Sequence, residues 1–152
     1  MNTGVMGIRY FAHAVGQVLT SEAVADSLAV RRSRYPATLD LDKAFRSLQN
    51  FTGPRPGMPA RPAFAMFEGA VTNTGCGYLP FERALGAREV QAIAADLATI
   101  DDEDVAADVR AHPVYRDPDD REVEYVLTYL RQAREFMSSL AANGQGMVYT
   151  IG

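Results

Sequence analysis

This sequence has one cysteine, no tryptophan, two histidines and one lysine among its fifteen basic residues. A single cysteine excludes an internal disulfide, and the opening "MNTGVMGIRYFAHAV" lacks both the charged start and the long apolar stretch of a secretory signal. No apolar run approaches the roughly 20 residues needed to cross a bilayer. A cytoplasmic protein is expected, with no membrane partner. Basic excess is also missing: net charge is -4 and pI about 5.1, which argues against nucleic acid.

The common catalytic templates are absent as well. There is no Walker lysine motif, no G-x-G-x-x-G before a helix, no G-x-S-x-G elbow and no H-E-x-x-H pair. An EF-hand loop from Asp40 would need an oxygen ligand at its fifth position and a glutamate at its twelfth, where the chain has Ala44 and Phe51. The acidic runs "DDED" (101–104) and "DPDD" (117–120) put adjacent carboxylates about 100° apart on a helix, so they cannot converge on one ion. They stand where helices should begin, and capping accounts for them. No metal and no cofactor is expected.

What is present is the material of one domain. The 152 residues are 47% hydrophobic, enough for an ordinary core. "MGIRYFAHAV" alternates as a first strand, near residues 7–14. "TSEAVADSLAVRR" fits a short helix that Pro36 ends. "LDLDKAFRSLQNFTGP" reads as a helix capped by Asp40, with Leu41, Ala44, Phe45, Leu48 and Phe51 on its buried stripe. "GPRPGMPARP" is a surface loop. "AFAMFEGAV" reads as a buried strand (63–71), and "GYLPFERAL" as a further strand (78–85) that Pro80 demotes to an edge.

"AREVQAIAADLATI" carries Val90, Ile93, Ala94, Leu97 and Ile100 on one helical stripe. Asp101 caps the next helix, with Ile100 and Val105 as a hydrophobic staple. The longest helix, near 118–142, takes Asp117 as cap and Pro118 as its first residue; "ANGQG" stops it, and "GMVYTIG" closes the chain as a strand (146–151). The fold class is α+β, a small sheet covered by about five helices. Strand order is not legible.

Candidate chemistry is sparse. Cys76 lies in "TNTGCG", between extended segments. A nucleophilic cysteine needs a histidine, a cation or a helix N-terminus to lower its pKa, and only His13 and His112 are available. Turn-forming Asn73, Gly75 and Gly77 favour a hairpin turn. Tyr125, Tyr129 and Phe136 form a second, aromatic stripe on the last helix: a core face, or an interaction surface if exposed. Asp42 and Arg46 stand four apart as an acid-then-base helix pair. Asp40, Asp42 and Lys43 are the candidate polar rim of a pocket.

The segments "LDLDKAFRSL", "FEGAVTNTGCGYLPFERALGAREVQAIAADL" and "EYVLTYLRQAREFMSSLAANGQGMVYTIG", in this order and spacing, resemble the YfbM-like family of small bacterial domains of unknown function. The similarity starts near "MGIRYFA" and implies one domain over residues 6–152, with residues 1–5 an extra leader. It implies an α+β intracellular bacterial protein and brings no catalytic residues. Many members carry a tryptophan and histidines in the helix after the Asp-Lys pair, where this chain has Phe45, Arg46 and Gln49.

Charge is uneven: eight basic and four acidic residues fall in the first 61 positions, while eleven acids crowd between Asp96 and Glu124. The expected function is a non-enzymatic protein-binding module, of inhibitor or immunity type. The alternative is a small-molecule enzyme or sensor with a site near the Thr72–Tyr78 loop, His13 as base, and Arg9 or Arg61 holding an anion. The candidate binding residues are Asp40, Asp42, Lys43, Cys76, Tyr78, Tyr125 and Tyr129.

Overall fold

Period-two patterning decides the sheet. In the computed structural model, which describes residues 8–16, 37–113 and 120–152, the alternating segments pair as a four-stranded antiparallel sheet. Its strands are β1 (Tyr10–Val15), β2 (Thr38–Asp42), β5 (Phe81–Leu85) and β6 (Gly146–Ile151), in the order β2-β1-β6-β5. Strands β3 (Thr72–Asn73) and β4 (Tyr78–Leu79) form a separate hairpin. The helices are α1 (Phe45–Thr52), α2 (Ala87–Thr99), α3 (Asp102–Ala111) and α4 (Arg121–Ala142). The fold is a single α+β domain.

One face of the sheet is the floor of the core. Tyr10, Ala12 and Ala14 of β1, Leu39 and Leu41 of β2, and Met147, Tyr149 and Ile151 of β6 are all buried there. Helices α2 and α4 lie over this floor and against each other. The α4 stripe Val123, Val126, Leu127, Leu130, Ala133, Met137 and Leu140 is buried as its spacing requires, and Phe136 joins it. Tyr125 and Tyr129 are half-buried against the core, as a helix apolar on two sides predicts.

Local chemistry sets the helix ends. Asp101 accepts a hydrogen bond from Glu103 N at 3.0 Å, while Ile100 and Val105 are buried on either side of it as a staple. Helix α4 ends at Gly144 (φ 65°): Gln145 N–H donates to Leu140 O and Gly144 N–H to Ala141 O, a Schellman stop. The expected helix at 20–32 and the Asp117 and Pro118 start of the last helix lie outside the described residues.

Three elements differ from the sequence reading, the first being the strand expected at 78–85, which breaks at Pro80 into β4 of the hairpin and β5 at the edge of the main sheet. Residues 63–71 are not a strand: Pro62–Met66 is a 3-10 turn followed by irregular chain. Ala63, Met66 and Phe67 are fully buried at helical spacing, Pro62 opens the turn, and Asp96 Oδ2 accepts from Ala63 N. Asp40 does not cap α1 either. "LDLD" alternates, and its leucines go into the core as β2; α1 begins only after a turn, in which Ala44 N–H bonds Leu41 O.

Candidate functional site

Five of the seven candidate residues converge at the end of β2. Asp40 Oδ1 accepts from Asp42 N at 2.8 Å, which helps hold Asp42 at φ 48°, a left-handed conformation that aspartate tolerates. Tyr125 of α4 donates its hydroxyl proton to Asp42 Oδ2 at 2.8 Å and accepts from Lys43 N at 3.2 Å. Arg9 Nε stands 3.2 Å from Asp42 Oδ1, an ion-pair distance without hydrogen-bond geometry. Tyr129 packs edge-on to Tyr125 at 5.1 Å. Its hydroxyl is pushed above its ordinary pKa, first by desolvation and then by the charges of Asp42 and Asp40.

Asp40, Asp42, Lys43 and Tyr125 thus hold one another through hydrogen bonds. The arrangement ties the β2–α1 turn to α4. It also corrects the proposed Asp42–Arg46 pair. Because Asp42 lies in a strand, its carboxylate faces Arg9 and Tyr125, and Arg46 has no partner among the described residues.

Cys76 and Tyr78 lie apart from that cluster, on the β3–β4 hairpin. Thr74 N–H bonds Gly77 O at 3.0 Å, Gly75 takes φ 88°, and Cys76 stands exposed in the turn between them. Tyr78, half-buried, pairs with Asn73. His13 pairs with Thr38 and Val148 inside the main sheet and shares no hydrogen bond with the hairpin. The two anion holders are engaged elsewhere. Arg9 faces Asp42, and Arg61 grips Asp96 through Nε at 3.3 Å and Nη2 at 2.9 Å.

The acidic belt is largely spent on structure. Asp102 takes Arg134 at 2.6 Å and Arg131 at 3.5 Å, while Arg134 also donates to Leu97 O and Ile100 O at the C-terminal end of α2. Asp120 pairs with Arg110, whose guanidinium holds that carboxyl below its ordinary pKa. Among the described residues, no group of three histidine, cysteine or acidic side chains is placed to hold a metal.

Two clefts of about 500 and 480 Å³ border α1, and His112 lines both. Between them sits Asp108, a buried carboxylate of α3. It accepts from Arg55 at 2.8 Å and from Asn50 Nδ2 at 3.2 Å, and its Oδ1 lies 3.4 Å from His112 Nδ1. In the second cleft, Arg55 and Arg61 stand over the Phe51 ring at 5.5 and 5.9 Å, beside the exposed Met58. His112, one of the two histidines weighed as a partner for Cys76, is the C-cap of α3 and meets Asp108 instead. The i,i+4 spacing of Asp108 and His112 was the available signal; their meeting with Asn50 and Arg55 depends on how α1 packs on α3.

The outer face of the sheet is the remaining surface of interest. Pairing places Asp40, Phe11, Thr150 and Glu82 in one row across four strands, and Thr38, His13, Val148 and Ala84 in the next. None of these side chains joins the core, and Phe11 is 47% exposed.

A family model described as "Domain of unknown function (DUF1877)" matches residues 17–150. The chain belongs to the DUF1877 family. The resemblance carried by its helix and turn segments is thereby borne out. Among solved structures, this DUF1877 chain is similar to "a Protein of Unknown Function YfbM from Escherichia coli", with a TM-score of 0.53 and 16% sequence identity. That likeness covers 95% of this chain and 99% of the other, and it concerns the fold. No curated protein matches the DUF1877 chain in sequence. No described helix is long and apolar enough to cross a membrane.

Proposed function

We infer that this DUF1877 protein is a non-enzymatic protein-binding module whose contact surface is the outer face of its sheet. The observation that carries this reading is the row Asp40, Phe11, Thr150, Glu82. An aromatic ring stands in the open on a central strand, and a carboxylate sits on each edge strand, about 14 Å apart by strand spacing. Val148, half-exposed in the next row, and Val15, one row further along β1, add apolar surface to the same face. Solvated sheet faces ordinarily alternate to polar side chains, so phenylalanine and valine there have no role in the core.

The chemistry fits a protein surface with an apolar centre and a basic rim. Aromatic anchors supply most of the energy of such contacts, and flanking charges steer encounter. The net charge of -4 favours the same class of partner, as an inhibitor or immunity-type protein would need against a cationic effector. Support also comes from the way the other charged groups are engaged: in the pairs Arg61–Asp96, Arg55–Asp108 and Arg134–Asp102 each charge is met by a structural partner that braces one element against another.

The test is quantitative capture from a native lysate. The wild-type chain and Cys76→Ser should retain the same protein in comparable amount, and Phe11→Glu should lose it. Equal retention by Phe11→Glu would remove the sheet face from the reading.

A further inference from the structure

The two clefts beside α1 differ in one respect that matters for ligands. In the second cleft both arginines are neutralised, Arg55 by Asp108 at 2.8 Å and Arg61 by Asp96 at 2.9 Å. In the first, Arg46 has no carboxylate or carbonyl partner among the described residues. A guanidinium left unpaired on the wall of a cavity of about 500 Å³ is equipped to take an anion, and that volume suits a small organic molecule.

The other polar groups of this cleft point to the rest of the ligand. Gln49 spends its amide nitrogen on Phe67 O at 2.7 Å and Gly69 O at 2.8 Å, which leaves its oxygen as an acceptor. Asn50 gives one of its two amide protons to Asp108 at 3.2 Å and keeps the other, together with its oxygen as an acceptor. His112 Nδ1 lies 3.3 Å from Asp108 O and 3.4 Å from Asp108 Oδ1. Both are acceptors, so they assign the proton of the neutral ring to Nδ1 and leave Nε2 to accept. One cation, one Asn50 N–H and three acceptors therefore remain, beside the apolar side chains of Ile8 and Val71.

We propose that the cleft between α1 and residues 69–71 binds a small organic anion, a carboxylate or phosphate monoester, that has an apolar body and a hydroxyl or amine donor. Arg46 holds the anionic group. The oxygens of Gln49 and Asn50 and the His112 ring receive the donor, and Ile8 and Val71 cover the apolar part. Asp108 acts as a positioning residue, since it fixes both the Asn50 amide and the His112 ring. This ligand site stands apart from the sheet face and does not depend on it.

Backbone amide shifts followed by NMR, with mandelate, phenylacetate and phenyl phosphate as probes, test this directly. The expected result is saturable shifts at Gln49, Asn50, Gly69, Val71 and His112. Mandelate should bind more tightly than phenylacetate, because only mandelate carries the hydroxyl. Binding of phenyl phosphate alone would support the site and assign it to phosphate monoesters. Arg46→Gln, a change on an exposed helix position that leaves the fold intact, should weaken binding roughly tenfold or more, the worth of one charge-assisted hydrogen bond. Arg88→Gln, on the exposed side of α2, should not. The proposal is overturned if no probe saturates, if the shifts lie elsewhere, or if Arg46→Gln binds as well as wild type; equal affinity for mandelate and phenylacetate overturns the donor assignment.

Discussion

Tyr125 and Asp42, 83 residues apart in the chain, are joined by a hydrogen bond of 2.8 Å from phenol to carboxylate. The bond fastens the edge strand β2 to the longest helix, at a point where the backbone is in the left-handed region. Tyr125→Phe removes this bond and the acceptor for Lys43 N, both partly shielded from water. Urea denaturation should show a loss of about 1–3 kcal/mol. An unchanged midpoint would mean that the β2–α1 turn holds its shape without α4.

Gly69→Ala should be more damaging than its surface position suggests. Gly69 has φ 131°, and a Cβ there would stand 2.3 Å from the Phe81 ring. Backbone strain and overpacking together cost about 2–4 kcal/mol. Thermal melting reads this as a fall of several degrees, and wild-type melting would contradict the packing described.

The acidic run 101–104 divides into two classes. Asp102 is pinned by Arg134 and Arg131, and Asp101 caps α3, whereas Asp104 is exposed on the rim of the second cleft. Asp102→Lys should therefore destabilise by about 1–3 kcal/mol. Asp104→Lys gives up only an exposed first-turn charge on the helix dipole and should cost about 0.5–1 kcal/mol, and the difference between the two is measured by chemical denaturation.

Stability should fall in alkali. The Tyr149 hydroxyl donates to Glu68 O at 2.6 Å and Ala65 O at 3.1 Å, and burial pushes its pKa up to about 12. Tyr10, stacked on it at 5.1 Å, is raised as well, by burial first and then by Tyr149. An unfolded tyrosine ionises near pH 10. Between pH 10 and 12 the unfolded chain therefore holds fewer protons than the folded one, so stability is complete below pH 10 and is lost as pH rises. Tyrosine absorbance should show Tyr10 and Tyr149 resisting ionisation until the fold opens, with Tyr129 also titrating above its ordinary range. If all seven tyrosines titrate together near pH 10, the buried pair is misplaced.

Helices α2, α3 and α4 were legible in the sequence because each carries an apolar stripe at helical spacing, and local signals mark the Asp101 start of α3 and the Gly144 stop of α4. The segment at 63–71 misled because Ala63, Met66 and Phe67 give a three-four spacing too short to distinguish from a buried strand, and the turn depends on Asp96 from α2. Asp40, Asp42, Lys43, Tyr125 and Tyr129 were each singled out from the chain. Their convergence was not legible, since it depends on β2 being a strand and on α4 crossing it. The Phe11 row was hidden for the same kind of reason. Phe11 reads as an ordinary strand residue until the order β2-β1-β6-β5 sets Asp40 and Glu82 on its two sides.

The measurement that bears most directly on the sheet-face reading is the affinity of the captured partner, by titration calorimetry, for the wild-type chain and for Phe11→Ala. An aromatic anchor at the centre of an interface is worth about 2 kcal/mol or more, so the variant should bind roughly thirtyfold more weakly, with its melting temperature unchanged. Equal affinity for the two proteins would contradict the account and place the contact elsewhere.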